Sequence, residues 1–337
     1  MPVRAGLLVT NQQLPERDHV AALEEQLRLV RAARESGWDS VFAAQHYLSG
    51  SFAHIQPLPY LGRIAAESGD MRVGVVIHLL ALANPVDTAE GYAGLDVVCG
   101  GRLTFGVGLG YREIEYAAFG VPPEQKVRRL TENLRIVEEL WAGKEVTADL
   151  PWCRLDGASL NLLPVQRPRP PIWMAANSDG AVRRAARLAD TWIINPHATF
   201  DTIERQLGLF AAERAAHGLE PPEELPLIRE VFCAPTRREA VDLAGPLLAR
   251  KYEVYADWGQ DAVMPDKESF RMPYEELERS RFVVGSPEDC IEQLLPWRRL
   301  GVDHFVFRTD WPGMPAAGAL SSVDLLAKEV VPALAHG

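Results

Sequence analysis

PPIWMAANSDGAVRRAARLADTWI, residues 170–193, decides the fold. Two prolines punctuate the chain, and the short apolar run at 172–175 that follows reads as a buried strand. The polar turn at 177–180 opens a helix over 181–188, and 191–194 is a second short apolar run. Strand, helix and strand in so few residues make a βαβ unit, the connection that parallel strands require.

The same unit is legible on both sides of this segment. Strands are expected at 4–10, 40–44, 71–76, 103–108, 227–233 and 304–308. Helices are expected at 19–36, 58–68, 86–98, 127–142, 202–217, 287–300 and 323–334, several stopped by glycine, as at Gly37 and Gly143. Together with 170–193 this makes eight strands alternating with eight helices, which favours a closed (β/α)8 TIM barrel over a doubly wound sheet. Residues 145–163 read as irregular. Residues 238–283 are an insertion after strand seven, helical over 240–255 and aperiodic over 256–281, either a lid or a surface loop. No linker composition divides the chain, so residues 1–337 are read as a single domain.

Composition narrows the function classes. Lys plus Arg number 35 against 46 Asp plus Glu, a net charge of -11 that repels phosphate backbones and argues against nucleic acid as a partner. Cys99, Cys153, Cys233 and Cys290 lie far apart without a CxxC, as expected of thiols in a reducing cytoplasm. The first residues lack the apolar core of a signal peptide, and no apolar run reaches the length of a membrane span. A cytoplasmic protein with no membrane partner is expected.

In a barrel the chemistry sits just past the C-terminal ends of the strands. Asn11, His46, His78, Tyr111, Asn177, Ser178 and Asn195 fall there, with Arg229 inside strand seven. His46 stands out, because an imidazole exchanges protons near neutral pH; the other reading is a structural histidine bonded to a carbonyl. Ser178 is a natural N-cap, and the helix start behind it suits a phosphate provided that Asp179 points away. GVGLG at 106–110 is not GxGxxG, and its glycines would instead let a flat ligand approach the backbone. The histidines lack metal spacing (no HxH, no HExxH), so no metal is expected.

Several longer segments carry more. GWDSVFAAQHY (37–47), NPVDTAEGYAGLDVVCGGRLTFGVGLGYREIEYAAFG (84–120), PVQRPRPPIWMAANSDGAVRRAARLADTWI (164–193) and VGSPEDCIEQLLPWRRLGVDHFVFR (284–308) resemble the bacterial luciferase-like flavin-dependent oxidoreductases, in that family's order and over most of the chain. The resemblance implies a (β/α)8 barrel with an insertion after strand seven. It implies a flavin-type cofactor, either reduced FMN (FMNH2) or, in one branch, the deazaflavin F420. His46 matches the histidine that works near the flavin ring, Asn177 and Ser178 match the phosphate-binding turn, and Gly108 matches a position facing the ring. The resemblance also implies a non-prolyl cis peptide at the end of strand three, near Val76 and Ile77. Gln45 departs from the acidic residue usual before this histidine, and the absence of Asp-His leans the reading from F420 toward FMN.

The expectation is therefore a flavin-dependent monooxygenase that uses reduced FMN and O2 to oxygenate a small-molecule substrate, with the flavin supplied by a separate NAD(P)H:flavin reductase. The alternatives are an F420-dependent dehydrogenase or reductase and a non-catalytic flavin-binding protein. His46 is the expected catalytic residue. Gly108, Asn177, Ser178, Val76 and Ile77 are expected at the cofactor, and Asn11, His78, Tyr111, Asn195 and Arg229 at the substrate pocket. Family habit implies a homodimer.

Overall fold

A computed structural model describes residues 2–265 and 268–336. Its strands are β1 (Arg4–Leu8), β2 (Gln12–Gln13), β3 (Ser40–Ala43), β4 (Ala53–His54), β5 (Arg72–Leu79), β6 (Leu103–Gly108), β7 (Val146–Leu150), β8 (Cys153–Ala158), β9 (Ile172–Ala175), β10 (Thr191–Ile193), β11 (Pro226–Cys233), β12 (Phe282–Gly285) and β13 (His304–Arg308). The helices are α1 (His19–Glu35), α2 (Pro57–Ala65), α3 (Pro85–Val98), α4 (Glu113–Ala118), α5 (Lys126–Trp141), α6 (Asp179–Leu188), α7 (Phe200–Ala216), α8 (Arg237–Asp257), α9 (Tyr274–Arg281), α10 (Pro287–Arg299), α11 (Ala316–Leu325) and α12 (Val331–His336).

Nine strands form one parallel sheet in the order β10-β9-β6-β5-β3-β1-β13-β11-β12. The sheet curls on itself: a parallel bridge between Ile194 and Leu227 links the chain just past β10 to the lower part of β11. The upper part of β11, Glu230 to Cys233, pairs instead with β12. The strands lack polar alternation because both faces are covered. Leu8, Phe42, Val76, Trp173, Ile193, Ile228 and Val306 fill the inside of the curl. Their neighbours Leu7, Val41, Val75, Phe105 and Phe307 face the helices in a much larger apolar layer.

At the N-terminal end of the strands the inside of the sheet closes on a polar knot. The Glu224 carboxylate accepts from His304 (3.2 Å), the Trp173 indole (3.2 Å) and Arg4 (3.2 Å), and also from Arg72. These partners sit on β13, β9, β1 and β5. The opposite end is left to carry the polar residues of the strand termini.

Besides adding the short elements β2, β4, α4 and β12, the structure departs from the sequence expectations at four places. Residues 145–163, read as irregular, contain the antiparallel hairpin β7–β8. The stretch 238–283 is largely ordered as α8, α9 and the start of β12; residues 266 and 267 of it lie outside those described. The last helix begins at Ala316, and a π-helical stretch, Leu326–Val330, separates α11 from α12. Strand three runs on to Leu79, with a register irregularity between Val75 and His78 that spans the cis peptide Val76–Ile77. The four cysteines are buried and free, and among the described residues no helix is long and apolar enough to cross a membrane.

Candidate active site

His46 follows β3, with 12% of its side chain exposed, at the C-terminal end of the sheet. The Gln45 side chain bonds Tyr47, Gln56 and Leu79 rather than the His46 ring. The Gln45 Oε1 accepts the Leu79 N–H at 2.8 Å and its Nε2 donates to the Tyr47 hydroxyl at 2.9 Å, so this residue ties the end of β3 to the end of β5. The acid next to His46 comes from α4: Glu115 Oε1 lies 3.2 Å from His46 Nδ1 and accepts the Tyr47 N–H at 2.8 Å. Arg112, just before α4, bonds the same oxygen at 3.3 Å and also the carbonyls of Tyr47 and Leu48. Burial pushes the Glu115 carboxyl up, but His46, the Tyr47 N–H and Arg112 outweigh it and hold the group below the usual carboxylate range.

Aromatic rings wall this pair. The His46 ring centroid lies 5.2 Å from Trp258, 5.7 Å from Tyr111, 6.2 Å from Tyr255 and 6.1 Å from His54. Tyr255 and Trp258 stack on each other at the end of α8, and Arg112 lies 4.2 Å over the Trp258 ring. Helix α8 therefore roofs the site. Among the described residues the Tyr111 hydroxyl, Arg112 Nε, Glu115 Oε2 and His54 Nδ1 are buried without a hydrogen-bond partner, a concentration of unmet polar atoms around one histidine.

The other residues singled out in the sequence divide into two groups. Asn11 bonds the His54 ring, which lies edge-on to His46, and its amide also donates to the Ala44 and Ile55 carbonyls. His54 is driven down to about 3 by burial and by the neighbouring His46, so it packs as a neutral ring. Val76, Ile77 and Gly108 meet at the end of the inner cluster: a Cβ on Gly108 would lie 2.1 Å from Ile77 Cδ1, so the glycine makes room for Ile77 rather than leaving an open cradle. Asn177 and Ser178 form the turn into α6, where the Ser178 side chain accepts the Ala181 N–H at 3.4 Å. Asp179 points away, bonded to Arg205 (2.7 Å) and Gln206 (3.0 Å) on α7.

His78, Arg229 and Asn195 are not brought to the His46 pair. The strand irregularity turns His78 to the helix side, against Thr88 and Tyr92 (3.3 Å each), where burial drives it down to about 3. Arg229 also faces the helices, 4.0 Å over the Trp297 ring of α10, and donates to the carbonyls of Asn195 and Ala198. Asn195 clips the end of β10 to Asn177 at 2.8 Å. The sequence reading missed Glu115, Tyr255 and Trp258. Only Arg112 and Glu115, three apart as on one helix face, signalled the first.

Comparison with known proteins agrees with this architecture. The family described as luciferase-like monooxygenase matches residues 3–304. The oxygenase component of a flavin-dependent trigonelline monooxygenase from Acinetobacter baylyi is 23% identical, covering 93% of this chain and 90% of that protein. An F420-dependent glucose-6-phosphate dehydrogenase from Nakamurella multipartita is 28% identical, covering 91% of this chain and 90% of that protein. The oxygenating constituent of 3,6-diketocamphane monooxygenase from Pseudomonas putida, solved with FMN, superposes with a TM-score of 0.83 at 20% identity over 98% of each chain. With a curled parallel sheet, a histidine–carboxylate pair at its C-terminal end and a family match over nearly its whole length, the chain belongs to the luciferase-like monooxygenase family and is an oxidoreductase.

Proposed function

We propose that this chain is the oxygenase of a two-component system that uses reduced FMN and O2 to oxygenate a small organic substrate, with a separate NAD(P)H:flavin reductase supplying the flavin. The observation that carries this reading is the His46–Glu115 pair, set among aromatic rings and roofed by α8. Such a wall excludes water from a site where reactive oxygen chemistry must not leak to solvent. The finer reading of the fold is a single (β/α)8 domain closed at the Ile194–Leu227 bridge, with 238–283 as its lid-bearing insertion, working as a cytoplasmic homodimer.

The residues at the α6 start fit a flavin mononucleotide. Asp179 is turned to α7, and nothing lies within 4 Å of where a Gly180 Cβ would stand, so the start of α6 is clear for a phosphate. Asn177 and Ser178 would hold that phosphate, and Val76 and Ile77, the latter covering Gly108, would lie against the ring. The flavin supplies the electrons that activate oxygen. This chain's residues supply the rest: Glu115 orients the His46 ring, His46 moves a proton through Nε2, and Tyr255 and Trp258 keep water out.

A second reading, an F420-dependent dehydrogenase, draws support from the 28% identical relative, because the same His46–Glu115 pair would take the proton of an alcohol. The deciding experiment is a paired anaerobic titration of the purified chain with reduced FMN and reduced F420, followed by oxygen. Tighter binding of FMN with oxygen uptake supports the oxygenase. Preferential F420 binding without oxygen uptake moves the protein to the dehydrogenase branch.

A further inference from the structure

The far side of the same mouth, under α8, is built from cations. Arg308 ends β13 on the inner side, two residues after Val306 of the inner cluster, and is buried. Its partners are neutral oxygens: Thr10 Oγ1 at 2.9 Å, Gln12 Oε1 at 3.0 Å and the Tyr255 hydroxyl at 3.5 Å, the outer limit of a hydrogen bond. Among the described residues it forms no ion pair. Lys251 descends from α8, buried, to Glu230, whose other oxygen accepts the Trp311 indole N–H. The rings of Tyr255 and Tyr252 lie 4.9 and 5.5 Å from the Lys251 nitrogen.

The charges here are unequally paired. Lys251 is joined to Glu230 and Arg281 to Glu268, whereas Arg308 is bonded only to neutral oxygens and feels Glu230 and Asp310 at longer range. Burial pushes Asp310 up to about 6 although Arg308 opposes it, and burial together with Arg308 brings Lys251 down to about 7. A buried guanidinium bonded only to neutral oxygens is costly to fold around, and this one occurs in a chain whose net charge is -11. Such a cost is met when an anion completes the site.

We propose that this side of the mouth is a subsite for a carboxylate group of the substrate, held by Arg308 and Lys251, with the Tyr255 hydroxyl as the group it displaces. The inference rests on the mouth being the substrate site, as proposed above. A carboxylate gives the Arg308 guanidinium a charge-assisted partner in place of the weak 3.5 Å contact to Tyr255. The rings of Tyr252, Tyr255 and Trp258 select an acid that carries a small aromatic or alicyclic ring.

The test is a calorimetric titration of the full chain, without flavin, with benzoate, cyclohexanecarboxylate and the two corresponding amides. The acids are expected to bind at least about tenfold more tightly than the amides, the gain of a charge-assisted over a neutral contact. R308Q and K251M should each remove the preference, whereas Y255F, which removes the competing hydroxyl, should keep or strengthen it. Equal binding of acids and amides, no binding of either, survival of the preference in both R308Q and K251M, or its loss in Y255F overturns the proposal. If R308Q does not fold, K251M and Y255F decide. Because no flavin is present, failure here is separate from failure of the FMN titration.

Discussion

Glu115 Oε1 lies 3.2 Å from His46 Nδ1 and 2.8 Å from the amide nitrogen of Tyr47, so one carboxylate oxygen fixes both the ring and the peptide that follows it. With the carboxylate ionised, Nδ1 carries the proton and Nε2 keeps its lone pair, a tautomer assigned from the hydrogen-bond network. The acid missing from position 45 is thus supplied from a different element, 69 residues along the chain from His46. Gln45 is then free to brace β3 against β5.

The pair should behave as a unit. His46→Ala should leave the fold intact and reduce oxygenation by roughly 10²–10⁴-fold, the range for removing a positioned acid–base group. Glu115→Gln should lose part of that, and the double variant should be little worse than His46→Ala alone. Single-turnover product formation with reduced FMN measures all three. Unchanged turnover in His46→Ala, or full additivity, sinks the paired role.

Much of this was legible in the sequence for a physical reason. Strands β9 and β10 and helix α6 announce themselves through short apolar runs around a polar turn, because strands buried on both faces cannot alternate. Strand β12 was hidden: its four residues, FVVG, follow α9 without a break, and pairing to β11 alone makes them a strand. His78 was misplaced because strand position was counted without the irregularity at 75–78. Glu115 and Lys251 matter only through contacts that folding creates, to His46 and Glu230, and no local pattern encodes those.

The α6 start offers a test of cofactor orientation. Ser178→Asp keeps an N-cap side chain for the Ala181 N–H, so the helix should form. A negative charge there should weaken FMN at least about tenfold by repulsion at the phosphate while leaving riboflavin nearly unaffected. Flavin fluorescence quenching gives both constants, and equal loss for the two ligands removes the phosphate from this turn.

Gly108 and Ile77 provide another. An alanine at 108 would place its methyl 2.1 Å from Ile77 Cδ1 but 3.4 Å from Cγ1, so only the last carbon of Ile77 has to move. Gly108→Ala should cost about 1 kcal/mol of stability, the low end for overpacking, and weaken flavin binding as the displaced methyl turns into the mouth. Adding Ile77→Val removes that carbon and should recover both. Denaturant melts and flavin titrations on the three variants suffice; a double variant as impaired as Gly108→Ala would place the obstruction elsewhere.

Glu224 governs stability at the other end of the sheet, far from the proposed chemistry. Burial alone would raise its carboxyl, but His304 and Arg72 overcompensate and hold it well below the usual range. Its partners on β1, β5, β9 and β13 make it a tie between strands that are distant in sequence. Glu224→Ala leaves those donors unpaired and should cost about 3–5 kcal/mol. The pH dependence follows from the direction of the shift. A carboxylate depressed in the folded state contributes its full stabilisation above its unfolded value of about 4.3 and loses it as pH falls toward the folded value. The urea midpoint of the wild type should therefore drop steeply below about pH 4.5, and that of Glu224→Gln should start lower and fall less. Parallel acid profiles for the two proteins would mean that the knot contributes no net charge-dependent stability.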